Sequence, residues 1–199
     1  MKPVEGVGGR RERNLMIIDG SYFRINSLRK PSLPVNEQAM KNFFNEIERK
    51  LNLVLDDVFY FDASRGGTQS SFERHYTSVL QACNVQLVLK NYKSMSMKCP
   101  NCSHQFSRRV QAEVDVAIAS KIVYDHCKER FDNLILIAGD GDFKEALDKV
   151  RNDDSNKRVY ILAWRRSISP KLQEKASRNC VLYFDDHWND FVPNNRALN

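Results

Sequence analysis

Four aspartates occupy positions in the sequence from which they could form one acidic site. Asp19 directly follows a short apolar run, Asp140 and Asp142 follow another, and Asp115 lies at the edge of the apolar face of an amphipathic segment. Carboxylates held close together repel one another, so such clusters persist mainly when a cation neutralises them. Hard oxygen ligands without histidine favour Mg²⁺ or Mn²⁺ over zinc. The chemistry that fits is metal-assisted hydrolysis of phosphodiester bonds.

For any one of these aspartates alone, an N-cap or turn role is the ordinary interpretation. The set is more informative than any single member. Asp62 also follows an apolar run, so three separate predicted strands are followed by acids, which would lie at one edge of a sheet. Open parallel sheets bind ligands beyond the carboxyl ends of their strands, near the point where the strand order reverses. We therefore expect the acids to converge there.

Short apolar runs alternate with longer amphipathic segments, which is typical of βα units around a parallel sheet. The runs are residues 15–18, 58–61, 85–89, 134–138, 159–163 and 181–184. Helices are predicted at residues 36–51, with Asn36 as N-cap, and at 69–83, 110–130, 143–150 and 169–177. The predicted fold class is α/β, with a central, mainly parallel sheet and helices on both faces.

The chain of 199 residues, 42% hydrophobic and 28% charged, suits one compact domain and excludes disorder throughout. We predict a flexible N-terminal tail at residues 1–14, a domain at 15–186 and a C-terminal tail at 187–199. Residues 91–109 match neither a strand nor a helix pattern, and we interpret them as a functional insertion between a strand and a helix.

Three motifs, in order and spacing, resemble those of NYN domains, which belong to the PIN-like nuclease superfamily. They are IIDGS from Ile17, VDVAIA from Val114 and ILIAGDGDF from Ile135. The resemblance covers residues 15–184 and implies a three-layer PIN-like fold and a metal-dependent endoribonuclease. The implied catalytic residues, which would also be the ligands of Mg²⁺ or Mn²⁺, are Asp19, Asp115, Asp140 and Asp142. The superfamily's tendency to self-associate makes a homodimer an expectation as well.

The chain departs from the NYN pattern at three places. Tyr22 stands where the family has asparagine, Ala112-Glu113 replaces the common Lys-Gly, and Gly141 replaces a small hydroxyl residue. The carboxylates are unchanged, whereas the positions around them that orient substrate differ. A second hypothesis therefore stays open, in which the same fold serves as a catalytically weak or inactive RNA-binding or scaffold subunit.

The formal net charge of +6 makes an anionic partner worth considering, and we predict RNA that is single-stranded or looped. The excess is concentrated in residues 90–109, with five bases and no acid, and in residues 157–180, with seven bases and one acid. Solvated faces without a partner are the alternative. The predicted RNA contacts are Ser21, Tyr22, Arg24, Arg65, Lys93, Lys98, Arg108, Arg109, Arg165 and Arg166. For Tyr22, core packing or a loop anchor is an equally good interpretation.

Cys99-Pro100-Asn101-Cys102 looks like one knuckle of a zinc ribbon, in which two thiolates reach one tetrahedral ion from a tight turn. Only half of a structural Zn²⁺ site is visible in the sequence. His104 with Cys83, Cys127 or His126 would complete it, as would the same knuckle from a second copy of the chain. The alternative is a flexible loop with reduced thiols.

No stretch approaches the roughly 18 consecutive apolar residues of a membrane span, and the N-terminal segment lacks the apolar core of a signal peptide. The five cysteines form no even framework, which fits a reducing compartment. We expect an intracellular, cytoplasmic protein with no membrane partner. Two other enzyme classes are disfavoured, because no serine or cysteine lies in a nucleophile elbow and Asp19 is not followed by a second Asp two residues on, as phosphatases of the haloacid dehalogenase type require.

Overall fold

The protein was analysed as a computed structural model that describes residues 10–27, 34–64, 70–110 and 113–192. The strands of these residues are β1 (Asn14–Asp19), β2 (Asp57–Ser64), β3 (Gln86–Asn91), β4 (Lys93–Lys98), β5 (Gln105–Val110), β6 (Asn133–Ile137), β7 (Arg158–Ala163) and β8 (Val181–Tyr183). The helices are α1 (Gly20–Ser27), α2 (Glu37–Leu51), α3 (Ser71–Ala82), α4 (Val114–Cys127), α5 (Lys144–Asp153), α6 (Pro170–Gln173) and α7 (Phe184–Phe191).

Six strands form one parallel sheet in the order β3-β2-β1-β6-β7-β8. Every residue of the central strands β1 and β6 is buried, as expected for strands covered on both faces. The chain moves outward from β1 to β3 on one side and from β6 to β8 on the other. The strand order therefore reverses between β1 and β6, which makes the gap beyond their carboxyl ends the topological switch point.

Alternate residues of β1 enter two hydrophobic cores, one on each face of the sheet. Met16 and Ile18 pack with apolar residues of α2, α3 and α7. Leu15 and Ile17 pack with apolar residues of α4, α5 and α6 on the other face. The predicted three-layer α/β architecture is confirmed.

Local sequence explains where two of the helices begin. The side chain of Asn36 accepts a hydrogen bond from the backbone N–H of Ala39, so the predicted N-cap of α2 is confirmed. At the start of α3, Ser70 and Glu73 form a capping box.

Residues 91–109, whose sequence matches neither a strand nor a helix pattern, form regular structure between β3 and α4. They contain β4 and β5, which pair as an antiparallel hairpin with Met97 opposite Phe106. The sequence of β4, Lys-Ser-Met-Ser-Met-Lys, does alternate with a period of two. It has no apolar run, because serines occupy every second position, and it therefore escaped the search for buried strands.

The helix α1 was not predicted from the sequence. The predicted C-terminal boundary of the domain also lies too early in the chain. The helix α7 runs past residue 186, and its residues Trp188 and Phe191 are buried in the core together with Val192. The boundary at 186 is therefore wrong. At the other end β1 begins at Asn14, inside the predicted tail of residues 1–14. The helices α4 and α6 are shorter than predicted. Within the described residues, no helix is long and apolar enough to cross a membrane.

Candidate active site at the carboxyl edge of the sheet

The four predicted carboxylates lie at the carboxyl edge, around the switch point. Asp19 is the last residue of β1, and Asp140 follows the neighbouring strand β6, which pairs with β1 in register from Asn14 to Ile18. Asp115 lies in the first turn of α4, which contacts β1, β2 and the 3-10 turn Gly141–Phe143. All four aspartates therefore lie at the same edge of the sheet.

Asp19 is the buried member of the set, with 6% of its surface exposed. Its Oδ1 accepts hydrogen bonds of 3.0 Å from the hydroxyl of Ser21 and from the backbone N–H of Tyr22. Burial raises the pKa of Asp19 to about 6, and the negative charges of Asp115 and Asp62 act in the same direction, against the effect of the two hydrogen bonds. Two hydrogen bonds thus hold the Asp19 carboxylate in one orientation.

The other three carboxylates are more accessible. Burial raises the pKa of Asp115, and the charges of Asp140 and Asp142 raise it further. Asp140 and Asp142 are exposed, and Oδ1 of Asp140 accepts a hydrogen bond of 3.0 Å from the backbone N–H of Asp142. Both line an open cleft of about 480 Å³, whose other lining residues are Gly139, Gly141, Lys144, Glu145, Ser169 and Lys171.

The donor set fits a hard divalent cation by chemistry and by charge. Carboxylate oxygens are the ligands that Mg²⁺ and Mn²⁺ prefer, and mutual repulsion among these acids would be relieved by a cation. As placed, no three His, Cys, Asp or Glu side chains of the described residues lie close enough to hold an ion. Mg²⁺ is usually bound by only one or two carboxylates and keeps several water ligands, so a pair of these acids would be enough to hold it.

Two glycines keep the strand ends closely packed next to the aspartates. A Cβ on Gly20 would lie 2.3 Å from Cζ of Tyr60. A Cβ on Gly139 would lie 2.1 Å from the carbonyl oxygen of Ser167 and 2.2 Å from Cε2 of Tyr22. Both contacts are too short for real atoms, so the Asp-Gly and Gly-Asp pairs of the motifs are packing requirements.

Ser169 is a cleft residue that the sequence did not identify. Its Oγ lies 2.7 Å from the position that a Cβ on Gly141 would take, and its backbone N–H donates to the carbonyl of Gly139 at 2.8 Å. A hydroxyl group from a distant segment thus occupies the space beside Gly141. In the NYN pattern, the residue at the position of Gly141 itself has a small hydroxyl side chain. Only tertiary contact brings Ser169 there.

The Tyr22 side chain joins α1 to the segment that follows β7. Its hydroxyl accepts hydrogen bonds from the backbone N–H of Trp164 at 3.0 Å and from the hydroxyl of Ser167 at 3.1 Å, and its ring meets the Trp164 ring edge-on. Burial raises the pKa of the Tyr22 hydroxyl. This geometry favours the loop-anchor interpretation over stacking on a base, while Ser21 is engaged by Asp19.

Arg24 neutralises a further buried acid at the same edge. Its Nη2 lies 2.9 Å from Oδ2 of Asp62, which also accepts from the Tyr60 hydroxyl at 3.2 Å. Asp62 is 7% exposed, and burial raises its pKa although the Arg24 charge opposes the shift. The guanidinium predicted to contact RNA is therefore engaged within the protein.

The remaining predicted RNA contacts fall into three groups. Arg65 lies outside the described residues. Lys93, Arg108 and Arg109 lie on the hairpin strands, whose backbone is described, and Lys98 is exposed at the end of β4. Both remaining arginines are exposed, but Arg165 pairs with Asp186 and stacks on the Tyr183 ring, whereas Arg166 has no ion pair among the described residues.

Several basic side chains of residues 157–180 are engaged within the protein and are not free to bind phosphates. Lys157 is buried and donates to Nδ1 of His126, Arg158 pairs with Glu12, and Lys175 pairs with Asp148. Lys157 and Arg158 also lie at the amino end of β7, opposite the acids. The charge count of this run therefore overstates its capacity to bind phosphates.

The predicted zinc residues lie at the tip of the β4–β5 hairpin. Cys99 and Cys102 are in the turn that joins β4 to β5, followed by the exposed His104. Within the described part of the chain, His104 does not join them in a group of three metal-binding side chains.

Comparison with known proteins adds a family and a fold. The family model described as the NYN domain matches residues 15–182. Among solved structures, the protein of unknown function VPA0982 from Vibrio parahaemolyticus RIMD 2210633 has a TM-score of 0.66 at 17% identity, covering 94% of this chain and 99% of that chain. At this identity the similarity shows a shared fold. No curated protein matches the chain significantly.

Two structures from bacteriophage T5 are more distant. Its 5'-exonuclease with bound zinc ions has a TM-score of 0.42 at 14% identity, covering 89% of this chain and 62% of that chain. A variant of its flap endonuclease, in a complex with DNA and metal ions, has a TM-score of 0.40 at 15% identity with the same coverage.

Proposed function

This chain belongs to the NYN domain family, and from that premise we propose that it is a metal-dependent endoribonuclease acting on single-stranded or looped RNA. Its catalytic residues and metal ligands are Asp19, Asp115, Asp140 and Asp142, with Mg²⁺ or Mn²⁺ as the cation. The observation that carries the proposal is the placement of these four carboxylates around the switch point, two of them in an open cleft.

The placement of the acids supports a hydrolytic site that is buried at one side and open at the other. Asp19 is fixed by two hydrogen bonds, so its oxygens keep one orientation at the floor of the site. Asp140 and Asp142 face the open cleft, which a phosphate can enter. A bound divalent cation would lower the pKa of a water molecule and offset the charge on the phosphate oxygens.

The cleft also offers cations for the nucleic-acid backbone. Lys144 and Lys171 line it together with the acids, and Arg166 follows β7 at the same edge of the sheet. Such contacts position a strand without reading its bases. Because the cleft is open at the surface, a strand can lie across it without presenting an end, which supports internal cleavage.

The experiment that tests this function compares substrates. Labelled single-stranded RNA, hairpin RNA, duplex RNA and single-stranded DNA are incubated with the protein and Mn²⁺, Mg²⁺ or EDTA. We expect internal cleavage of the single-stranded and looped RNA with either metal and none with EDTA. RNA that is bound but never cut would favour the RNA-binding subunit, and preferential cleavage of DNA would contradict the assignment to RNA.

A further inference from the structure

The tip of the β4–β5 hairpin has the local geometry of a thiolate metal ligand pair. The backbone N–H groups of Cys102 and Asn101 and the Cys102 thiol lie near Cys99 Sγ, and they lower the pKa of Cys99. The backbone N–H of Ser103 donates to the carbonyl of Cys99 at 2.9 Å, and Ser103 has a φ of 59°. The turn therefore brings the two sulfurs close to each other at the tip of the hairpin.

The other cysteines of the described residues cannot complete the site. The hairpin leaves the carboxyl end of β3 and precedes the start of α4. Cys83 and Cys180 lie before the amino ends of β3 and β8, and Cys127 is the last residue of α4. Six strand residues or fourteen helical residues span roughly 20 Å, so all three thiols are at the opposite edge of the sheet.

We propose that Cys99 and Cys102 form half of a tetrahedral Zn²⁺ site, and that the same pair from a second copy of this chain supplies the other half. Structural zinc sites are closed with four ligands, commonly four thiolates, and two hairpin tips facing each other provide that number. The site is thus incomplete in one chain and complete in a dimer of two.

The surface of the hairpin favours a second copy as the partner. Met95 and Met97 lie on one face of β4, and Phe106, opposite Met97 on β5, lies on the same face. Their exposed fractions are 54%, 41% and 43%, although apolar side chains gathered on one small face would normally be covered. Contact between two such faces would bury them beside the metal.

The zinc site would offset part of the charge repulsion between two hairpins. Residues 91–110 contain four basic residues and no acid, so two hairpins would repel each other if nothing lay between them. Four thiolates around Zn²⁺ carry a net charge of 2−, which offsets part of that repulsion at the contact. Metal-free chains are accordingly expected to stay apart.

The test is the mass of the reduced full-length chain in solution, measured by light scattering during gel filtration, together with its zinc content. After treatment with EDTA and a non-thiol reductant, we expect the mass of one chain, 23.1 kDa. Zinc supplied at one ion per two chains should double the mass, and renewed EDTA should reverse the change. Cobalt substitution should give the absorption of a tetrahedral four-sulfur site.

The Cys99→Ser, Cys102→Ser double variant should stay at the mass of one chain and bind no zinc, whereas the Cys127→Ser control, at another exposed thiol, should behave as the wild type. One zinc per chain at unchanged mass would overturn the proposal. A zinc content in the double variant equal to that of the wild type would also overturn it, as would a doubled mass that persists in EDTA. None of these readouts depends on RNA cleavage.

Discussion

The hydroxyl of Tyr22 accepts the backbone N–H of Trp164 at 3.0 Å and so joins the helix that follows Asp19 to the carboxyl end of β7. The strand β6 lies between β1 and β7, so this bond spans the switch point. The same ring packs against Gly139, next to Asp140. One side chain therefore connects the segments that bear two of the four proposed metal ligands.

Tyr22→Phe should destabilise the protein, because it leaves the buried N–H of Trp164 without its acceptor. Loss of a buried hydrogen-bond partner costs about 1–3 kcal/mol. Urea denaturation measures the change, with Tyr124→Phe as control, since Tyr124 is 50% exposed. Equal stabilities of the two variants would mean that the Tyr22 hydroxyl does not anchor α1.

Asp19→Asn should stabilise the metal-free protein at neutral pH. The pKa of Asp19 is about 6 in the fold against an ordinary value of 3.8, so between these pH values the folded state binds more protons than the unfolded state. The free energy of unfolding therefore falls as pH rises through this window, and the penalty is complete above it. Asparagine keeps an acceptor for Ser21 and Tyr22 while removing the charge.

The expected gain is about 1–3 kcal/mol at neutral pH in EDTA and close to none at about pH 4, measured by urea denaturation at both pH values. Asp57→Asn, at an exposed carboxyl at the start of β2, is the control and should change stability little. A variant less stable than the wild type at neutral pH would show that the Asp19 charge is compensated in the fold.

Arg24→Met should strongly destabilise the protein, because it leaves the buried Asp62 charge without its cation. Breaking a buried pair costs about 3 kcal/mol, whereas exposed pairs contribute under about 1 kcal/mol. Arg49→Met removes an arginine that is 67% exposed and pairs with Glu46, and it serves as control. Similar denaturation midpoints for both variants would contradict this account of Arg24.

The salt dependence of RNA binding should identify which basic residues contact phosphates. Arg166→Gln and Lys171→Gln should each reduce the slope of log K against log salt by about 0.7, the value per phosphate contact on a single strand. Arg158→Gln should leave the slope unchanged, because Arg158 lies at the amino end of β7 and pairs with Glu12 at 3.0 Å. Fluorescence anisotropy in EDTA measures binding without cleavage. Equal changes in slope at all three positions would show that the RNA does not bind at the cleft.

The part of the site that depends on strand ends could be predicted from the sequence. Asp19 and Asp140 directly follow apolar runs, and the βα alternation places the ends of parallel strands at one edge. Asp115 was found because its helix has an apolar face of regular period. These signals are local, so a single sequence contains them.

The rest depends on contacts between distant segments. Lys157 belongs to a basic run in the sequence, yet it is buried against Phe131 and donates to His126. Ser169 reaches the space beside Gly141 from another element. The strands β4 and β5 pair with each other outside the main sheet, so their residues show no buried apolar pattern. No local pattern specifies such tertiary relationships.

The most direct test of the central claim is single-turnover cleavage of labelled single-stranded RNA in Mn²⁺ by the wild type, Asp140→Asn and Glu145→Gln. Both substituted residues line the same cleft, but only Asp140 belongs to the proposed ligand set. We predict that Asp140→Asn loses cleavage by a factor of about 100 or more while its RNA affinity in EDTA stays close to that of the wild type, and that Glu145→Gln cleaves normally. Cleavage by Asp140→Asn at the wild-type rate, or equal losses in both variants, would contradict a catalytic site built on these carboxylates.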